Sequence, residues 1–370
     1  MNNTSERMPY FDHVRGLTVI FMIICHTIIM YSAQNVLESP LGIFGEYIIG
    51  TWPGAPVFMI IMGIFFVYSS NKPLSVKIIR GLKLYILGII LNVLRYVIPY
   101  LIAEEINPDA FANIKALTVQ EDYSDLWQLF YNLDILTFAG IAFMILAPID
   151  ALFKRDWHWI LLGVIIVFIS PYFWGYGRDW GISYLFFQPF WGSALIPGIP
   201  GDTSFPVFPW LVYPIVGILI GRAYQRGDGS AVILKNMVMS AVILAVIGTT
   251  LIVTSSTSQL GDFYRMYPGG TILCIGFDLA WIALFMLLTR LHILQGTLDK
   301  LNFWSKNITL IYVVQWVLIG FGMIFFGYHQ QDNPWSVLAL IPMYFVLTYI
   351  STKFLLDSPR FMKLFGWFTR

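Results

Sequence analysis

The chain carries ten runs of about 20 consecutive apolar residues, the length an α-helix needs to cross a bilayer core roughly 30 Å thick. They lie near residues 14 to 33, 53 to 70, 82 to 103, 127 to 150, 159 to 175, 207 to 224, 236 to 254, 271 to 289, 308 to 327 and 336 to 356. Inside lipid the backbone must satisfy its own hydrogen bonds, so only helices or a closed barrel can span, and a barrel needs short alternating segments instead of these continuous runs. The expected fold is therefore all-α: a polytopic integral membrane bundle of about ten transmembrane helices. Composition agrees, with 58% hydrophobic and only 12% charged residues, against about 25% charged in soluble domains. The runs recur without a long polar linker, which predicts one membrane domain over residues 1–370.

Basic residues orient the bundle, because loops rich in Lys and Arg stay in the cytoplasm. With the N-terminus inside, seventeen of the 22 Lys and Arg fall on the cytoplasmic side, and only Lys115, Arg178 and Arg265 fall opposite. Both termini are thus expected in the cytoplasm, in the inner membrane of a bacterium. Residues 1 to 10 are polar and the first run carries Arg15 and His26, which argues against a cleaved signal. Cys25 and Cys274 both lie inside runs, so no disulfide framework is available. The five histidines are scattered and form no metal-binding pair, and neither a glycine-rich phosphate loop nor a nucleic-acid motif is present.

Two extracytoplasmic loops are long. One, residues 104 to 126, is acidic. The other, 176 to 206, is broken by Gly and Pro and holds Trp180, Tyr184, Phe186, Phe187, Phe190 and Trp191. It is expected to lie against the membrane or dip into the bundle, where its rings form either an interfacial belt or a platform for a sugar.

Charges at membrane depth are costly, which makes each a functional candidate. The first run is richest. Arg15 and His26 are eleven residues apart, so on a helix they share one face and stand roughly 16 Å apart along the axis. Asp12 precedes Arg15 by three and pairs with it. This places a cation near the cytoplasmic entrance and, deeper in, an imidazole, the side chain matched to proton transfer near neutral pH. His13 faces elsewhere and is assigned to the interface. Further intramembrane polar groups are Arg95, Asp134, Asp278 and Gln315. Arg95 is expected to pair with one of the two aspartates, and the sequence leaves open which. Asp278, nearer the middle of its run, is the stronger catalytic candidate. On the cytoplasmic side Lys72, Lys77, Arg80 and Lys83 supply basic groups for an anionic cofactor.

The segment Phe11-Asp12-His13-Val14-Arg15-Gly16-Leu17, followed by His26 at Arg-x10-His spacing, resembles the first-helix motif of the acyltransferase 3 family of membrane acyltransferases. Ala55-Pro56-Val57-Phe58 with Met62-Gly63 resembles that family's second-helix element. Phe205 to Trp210, continued to Gly217 through Arg222, is similar to an element of the related heparan-alpha-glucosaminide N-acetyltransferases. Leu301 to Tyr312 resembles the stretch before the penultimate helix in both groups.

The resemblance implies transfer of an acyl group, commonly acetyl, from cytoplasmic acyl-coenzyme A to a hydroxyl or amine of an extracytoplasmic or lipid-linked glycan. His26 would be catalytic and Arg15 its motif partner, and the intramembrane charges read above add Asp12 and Asp278 to the catalytic candidates. Arg15 would also face the coenzyme A, with Lys72, Lys77, Arg80 and Lys83. Asp134, Trp180, Trp191, Trp210 and Gln315 are assigned to the acceptor. The expected partners are this glycan or amino sugar, membrane lipids and a second copy of the chain, without metal or nucleic acid. Two departures stand out: Gln315 occupies a position where the family often has His, and residues 45 to 70 lack the histidine associated with the second helix of the heparan-type enzymes. The same polar groups also suit a proton-coupled transporter or flippase, or, in a third reading, an assembly subunit whose first-helix face serves packing.

Overall fold

A computed structural model describes residues 8–68, 72–109, 129–177, 180, 183–192, 203–261 and 263–369. Ten of its helices are long and apolar enough to span: α1 (Pro9–Tyr31), α2 (Pro40–Tyr68), α3 (Leu74–Ile106), α4 (Ile135–Leu152), α5 (Asp156–Phe173), α6 (Val207–Gln225), α7 (Ser230–Thr254), α8 (Pro268–Arg290), α9 (Ile308–Phe326) and α10 (Pro334–Leu356). Shorter helices are Tyr184–Trp191, Gln295–Lys306 and the C-terminal Pro359–Thr369. Among the described residues there is no β-strand. The acidic loop lies outside the described residues from 110 on, as does the whole stretch between Gly192 and Thr203.

Burial separates the helices into a centre and a lipid-facing rim. α1, α2, α6, α8 and α9 bury most of their length, whereas α5, α7 and α10 expose most of theirs. α7 shows the rim pattern: Ile233, Met237, Ala241 and Gly248 are buried at intervals of four and seven, one narrow stripe on the helix. Its remaining faces present Val238, Met239, Val242, Ile243, Val246 and Ile247 outward. Such a surface suits contact with hydrocarbon and not with water.

Close helix crossings in the centre depend on residues without side chains, as is common where lipid supplies no hydrophobic drive for association. A methyl group at Gly217 of α6 would overlap the Ile60 carbonyl of α2, and one at Gly63 would overlap the Pro214 carbonyl. α1 lies among α2, α8, α9, α10 and the helix Gln295–Lys306, which covers its first turns at Gly16 and Leu301.

Two spans contain π-helical turns, at Phe44–Thr51 in α2 and Val93–Val97 in α3. Each inserts one extra residue per turn, which rotates the helix beyond it and re-aims its side chains. The first explains why α2 begins thirteen residues before the apolar run near 53: Gly42, Gly45, Glu46 and Gly50 interrupt the apolar pattern, yet the chain stays helical and packs against Cys25 and Ile28 of α1.

Candidate functional site

α1 is unbroken from Pro9 to Tyr31 and so carries Asp12, Arg15 and His26 on one rigid rod. At its start Ser305 Oγ donates to Asp12 Oδ1 at 2.8 Å, and Arg15 Nη2 donates to the Ser305 carbonyl at 3.3 Å. Arg15 Nη1 stands 4.0 Å from Asp12 Oδ1, and the guanidinium lies over the Phe65 ring. Ser305 thus ties the acid and the cation to the helix that precedes α9.

His26 faces α9. Its Nδ1 is 3.3 Å from Gln315 Nε2, and its ring lies 4.2 Å from the Trp316 ring and 6.3 Å, edge-on, from Tyr312. Tyr312, Gln315 and Trp316 share a face of α9 because helix positions i, i+3 and i+4 align.

Behind Trp316 sits Arg95, completely buried, with its guanidinium 4.6 Å from the Trp316 ring and 4.5 Å from Tyr96. It lies in the π turn of α3, and α9 approaches that turn closely, since a Cβ at Gly320 would overlap the Arg95 carbonyl. Arg95 Nη2 contacts Asp134 Oδ2 at 2.9 Å, and Nε and Nη2 donate to Asn92 Oδ1 at 3.2 and 2.8 Å. Asp134 is therefore the partner the sequence left open.

The carboxylate of Asp134 is satisfied on both sides. Oδ1 caps the start of α4 by accepting from Leu136 N and Thr137 N, and Oδ2 accepts from the Tyr312 hydroxyl at 2.9 Å. Asn92 Nδ2 in turn donates to the carbonyls of Phe130 and Asn132. A chain of polar contacts thus runs Asn92, Arg95, Asp134, Tyr312, joining α3, α4 and α9, with the imidazole packed at a tilt against Trp316 beside it.

Residues 8–353 match the acyltransferase 3 family, described as an acyltransferase domain. The chain belongs to that family. It is a membrane acyltransferase, and the matched region contains Asp12, Arg15, His26, Arg95, Asp134, Tyr312, Gln315 and Trp316. No curated protein matches the chain.

The remaining candidates of this acyltransferase take other places. Asp278 is fully buried in α8, one turn from Cys274, whose Sγ donates to Oδ2 at 3.7 Å, and Oδ1 has no hydrogen-bond partner among the described residues. It shares no partner with His26. Lys77, expected to meet an anionic cofactor, is buried and ion-paired with Asp150 at 3.0 Å, under the Phe66 ring, so its charge is already neutralised inside the protein. Arg80 lies over Phe143, Lys83 over Trp367 of the C-terminal helix, and Lys72 is exposed.

Trp210 is a core residue: it is buried, its Nε1 donates to the Tyr264 carbonyl at 2.8 Å, and Phe205, Phe263 and Tyr213 surround it. No face of that ring is left for an acceptor. Trp180 and Trp191 do form an aromatic cluster with Phe187 at the end of α5, where Trp191 Nε1 donates to the Tyr176 carbonyl. Arg265, buried, holds this region by donating to the carbonyls of Gly192 and Thr203 at 2.7 and 2.8 Å. His13, expected at the interface, is buried instead, with Nδ1 3.2 Å from Thr289 Oγ1 and Nε2 3.7 Å from Asp299 Oδ1.

Asn92, Tyr96, Ser305 and Trp316 complete the site and are not singled out by sequence reasoning. Asn92 and Trp316 carry a readable signal, as a polar amide three residues before a membrane-depth arginine and an aromatic beside Gln315. Ser305 carries none, because its role depends on how the helix Gln295–Lys306 folds over α1.

Proposed function

We propose that this protein moves an acyl group, acetyl in the first instance, from cytoplasmic acyl-coenzyme A to a hydroxyl or amine of an extracytoplasmic or lipid-linked glycan, with His26 as the catalytic base. The observation that carries the reading is the position of His26 on α1: it is the one histidine among the described residues packed against Trp316, whose ring also meets the buried Arg95 of the Arg95 and Asp134 pair, and it shares its helix face with Asp12 and Arg15. Arg15, near the start of the helix, faces the donor side in this reading, with Arg80, Lys83 and Lys72 as further cations for the coenzyme phosphates. The Trp180 and Trp191 cluster serves as the platform for a sugar ring.

The reaction needs a base because a hydroxyl or protonated amine is a poor nucleophile at neutral pH, and a positioned imidazole contributes about 100- to 10,000-fold. The likeness of Phe205 to Trp210 and Gly217 to Arg222 to the heparan-alpha-glucosaminide N-acetyltransferases supports an amine as well as a hydroxyl among the acceptors. The basic residues concentrated at one end of the bundle support a bacterial cytoplasmic membrane, with the donor end inside.

The test uses purified protein in nanodiscs with acetyl-labelled acetyl-coenzyme A. Wild-type protein releases coenzyme A or labels an acceptor, and His26→Ala abolishes this while eluting as the same folded species. Full activity in that variant, or movement of a glycan across liposomes with no acyl donor present, overturns the proposal.

A further inference from the structure

Gln315 is almost completely buried, and its Nε2 lies 3.3 Å from His26 Nδ1 while its Oε1 has no hydrogen-bond partner among the described residues. The two ends of a side-chain amide have the same shape, so which atom is oxygen is decided by hydrogen bonding and not by form. The two orientations have opposite consequences for the imidazole. With Nε2 toward the ring, the amide N–H donates to Nδ1, and the ring proton must then sit on Nε2. A neutral imidazole has one nitrogen lone pair free to accept. In that state it is spent on Gln315, and nothing is left to take a proton from an acceptor.

With the amide rotated, Oε1 accepts from Nδ1–H and the lone pair moves to ring Nε2, the nitrogen on the far side from Gln315. The rotation gives Oε1 a donor and turns the NH2 group to the place where Oε1 had no partner, so both orientations leave one end of the amide unpaired and the proton state required of the ring decides between them. We infer that Gln315 is the positioning residue of His26: its Oε1 holds Nδ1–H, fixes the ring tautomer and frees Nε2 as the base. The inference rests on the proposed role of His26. Trp316, tilted 33° against the imidazole with ring centres 4.2 Å apart, restricts the ring plane, and Gln315 one residue earlier on α9 fixes rotation within that plane. An amide carbonyl does here what a carboxylate or amide does for the histidine of hydrolytic triads. A neutral group suits a place beside the Arg95 and Asp134 pair, whose charges already balance.

The step balances without a further reactant. The acceptor O–H or N–H gives its proton to His26 Nε2 as the acceptor atom bonds to the thioester carbonyl carbon. The C–S bond breaks, and the leaving thiolate takes the proton back from Nε2. The ring ends neutral, with Nδ1–H on Gln315 throughout.

Two measurements in nanodiscs test this. The first is the 15N solid-state spectrum of histidine-labelled protein, with the His26 signals assigned by their loss in His26→Ala. Nδ1 protonated and Nε2 bare is the expected result, and Nε2 protonated overturns the inference whether or not the protein transfers acetyl. The second is kinetics with acetyl-coenzyme A. Gln315→Met, of similar volume and with only a weakly accepting thioether in place of the amide oxygen, loses about 100-fold in kcat with KM for the donor unchanged. Gln315→Glu keeps an acceptor and has no donor, and stays within about tenfold of wild type. Wild-type kcat in folded Gln315→Met, or a Gln315→Glu protein as damaged as Gln315→Met, refutes the positioning role. Activity in His26→Ala instead refutes the proposed function and leaves the spectral test standing.

Discussion

Asp134 is engaged from four directions: two backbone N–H groups of α4, the Tyr312 hydroxyl and the Arg95 guanidinium. Without it Arg95 keeps a bond to Asn92 but has no counter-charge, in a place water does not reach. Breaking a buried pair from one side costs about 3–5 kcal/mol, because the stranded charge dominates the loss. Losing the helix cap adds about 1 kcal/mol. Asp134→Ala is therefore expected to lower the thermal unfolding midpoint in detergent sharply. Adding Arg95→Met on that background removes the stranded cation and recovers most of the loss, leaving the cap. A double variant no more stable than Asp134→Ala alone would show that the pair is not what holds α3, α4 and α9 together. The measurement is fluorescence-detected thermostability of the single and double variants, read as a cycle.

At the scale of the helix, the π turn of α3 and Gly320 of α9 fit one another. The turn places the Arg95 carbonyl against α9, and only a residue without Cβ leaves room for it. Gly320→Ala must push the two helices apart or strain the turn, at about 1–3 kcal/mol, and it carries Trp316 and Gln315 away from His26. Gly296, in the helix Gln295–Lys306, has nothing within 4 Å of an added Cβ. Gly296→Ala is expected to be neutral or to stabilise by up to about 1 kcal/mol, through helix propensity alone. Equal thermal midpoints for the two variants would count against the close approach. Neither π turn is legible in the sequence, because a π turn obeys the same apolar pattern as its helix and differs only in register. The spans themselves are legible, since lipid imposes their length. Their ends are less so: α4 starts at the Asp134 cap, eight residues inside the apolar run near 127, because a carboxylate that accepts two backbone N–H groups outweighs apolarity. The helix 1 face follows from periodicity, and α1 carries it without a break. Pairings between helices do not follow from periodicity, which is why Arg95 had two candidate partners, and why Trp210 reads as a binding ring when it is a core ring.

For the whole molecule, the direction of the bundle decides which end of α1 meets the donor. The charge count argues for Arg15 at the cytoplasmic end and His26 toward the far side, and a reversed bundle would turn the proposed donor end outward. The native cysteines make this measurable, because Cys25 and Cys274 are both free and buried, 6% and 0% exposed, and so give little background with a membrane-impermeant maleimide. Glu38 is exposed on the link between α1 and α2, and Thr297 is exposed on the link between α8 and α9. With ten crossings these two links lie on opposite sides, whichever way the chain runs. Glu38→Cys is expected to label in intact cells, and Thr297→Cys only after the membrane is permeabilised. Labelling of both in intact cells would break the ten-span count. The reverse pattern would keep the count and invert the bundle, leaving Asp12, Arg15 and Ser305 at the outer face. A cytoplasmic thioester would then have to reach His26 from the end of α1 that the aromatic cluster occupies, where Arg265 is spent on the carbonyls of Gly192 and Thr203.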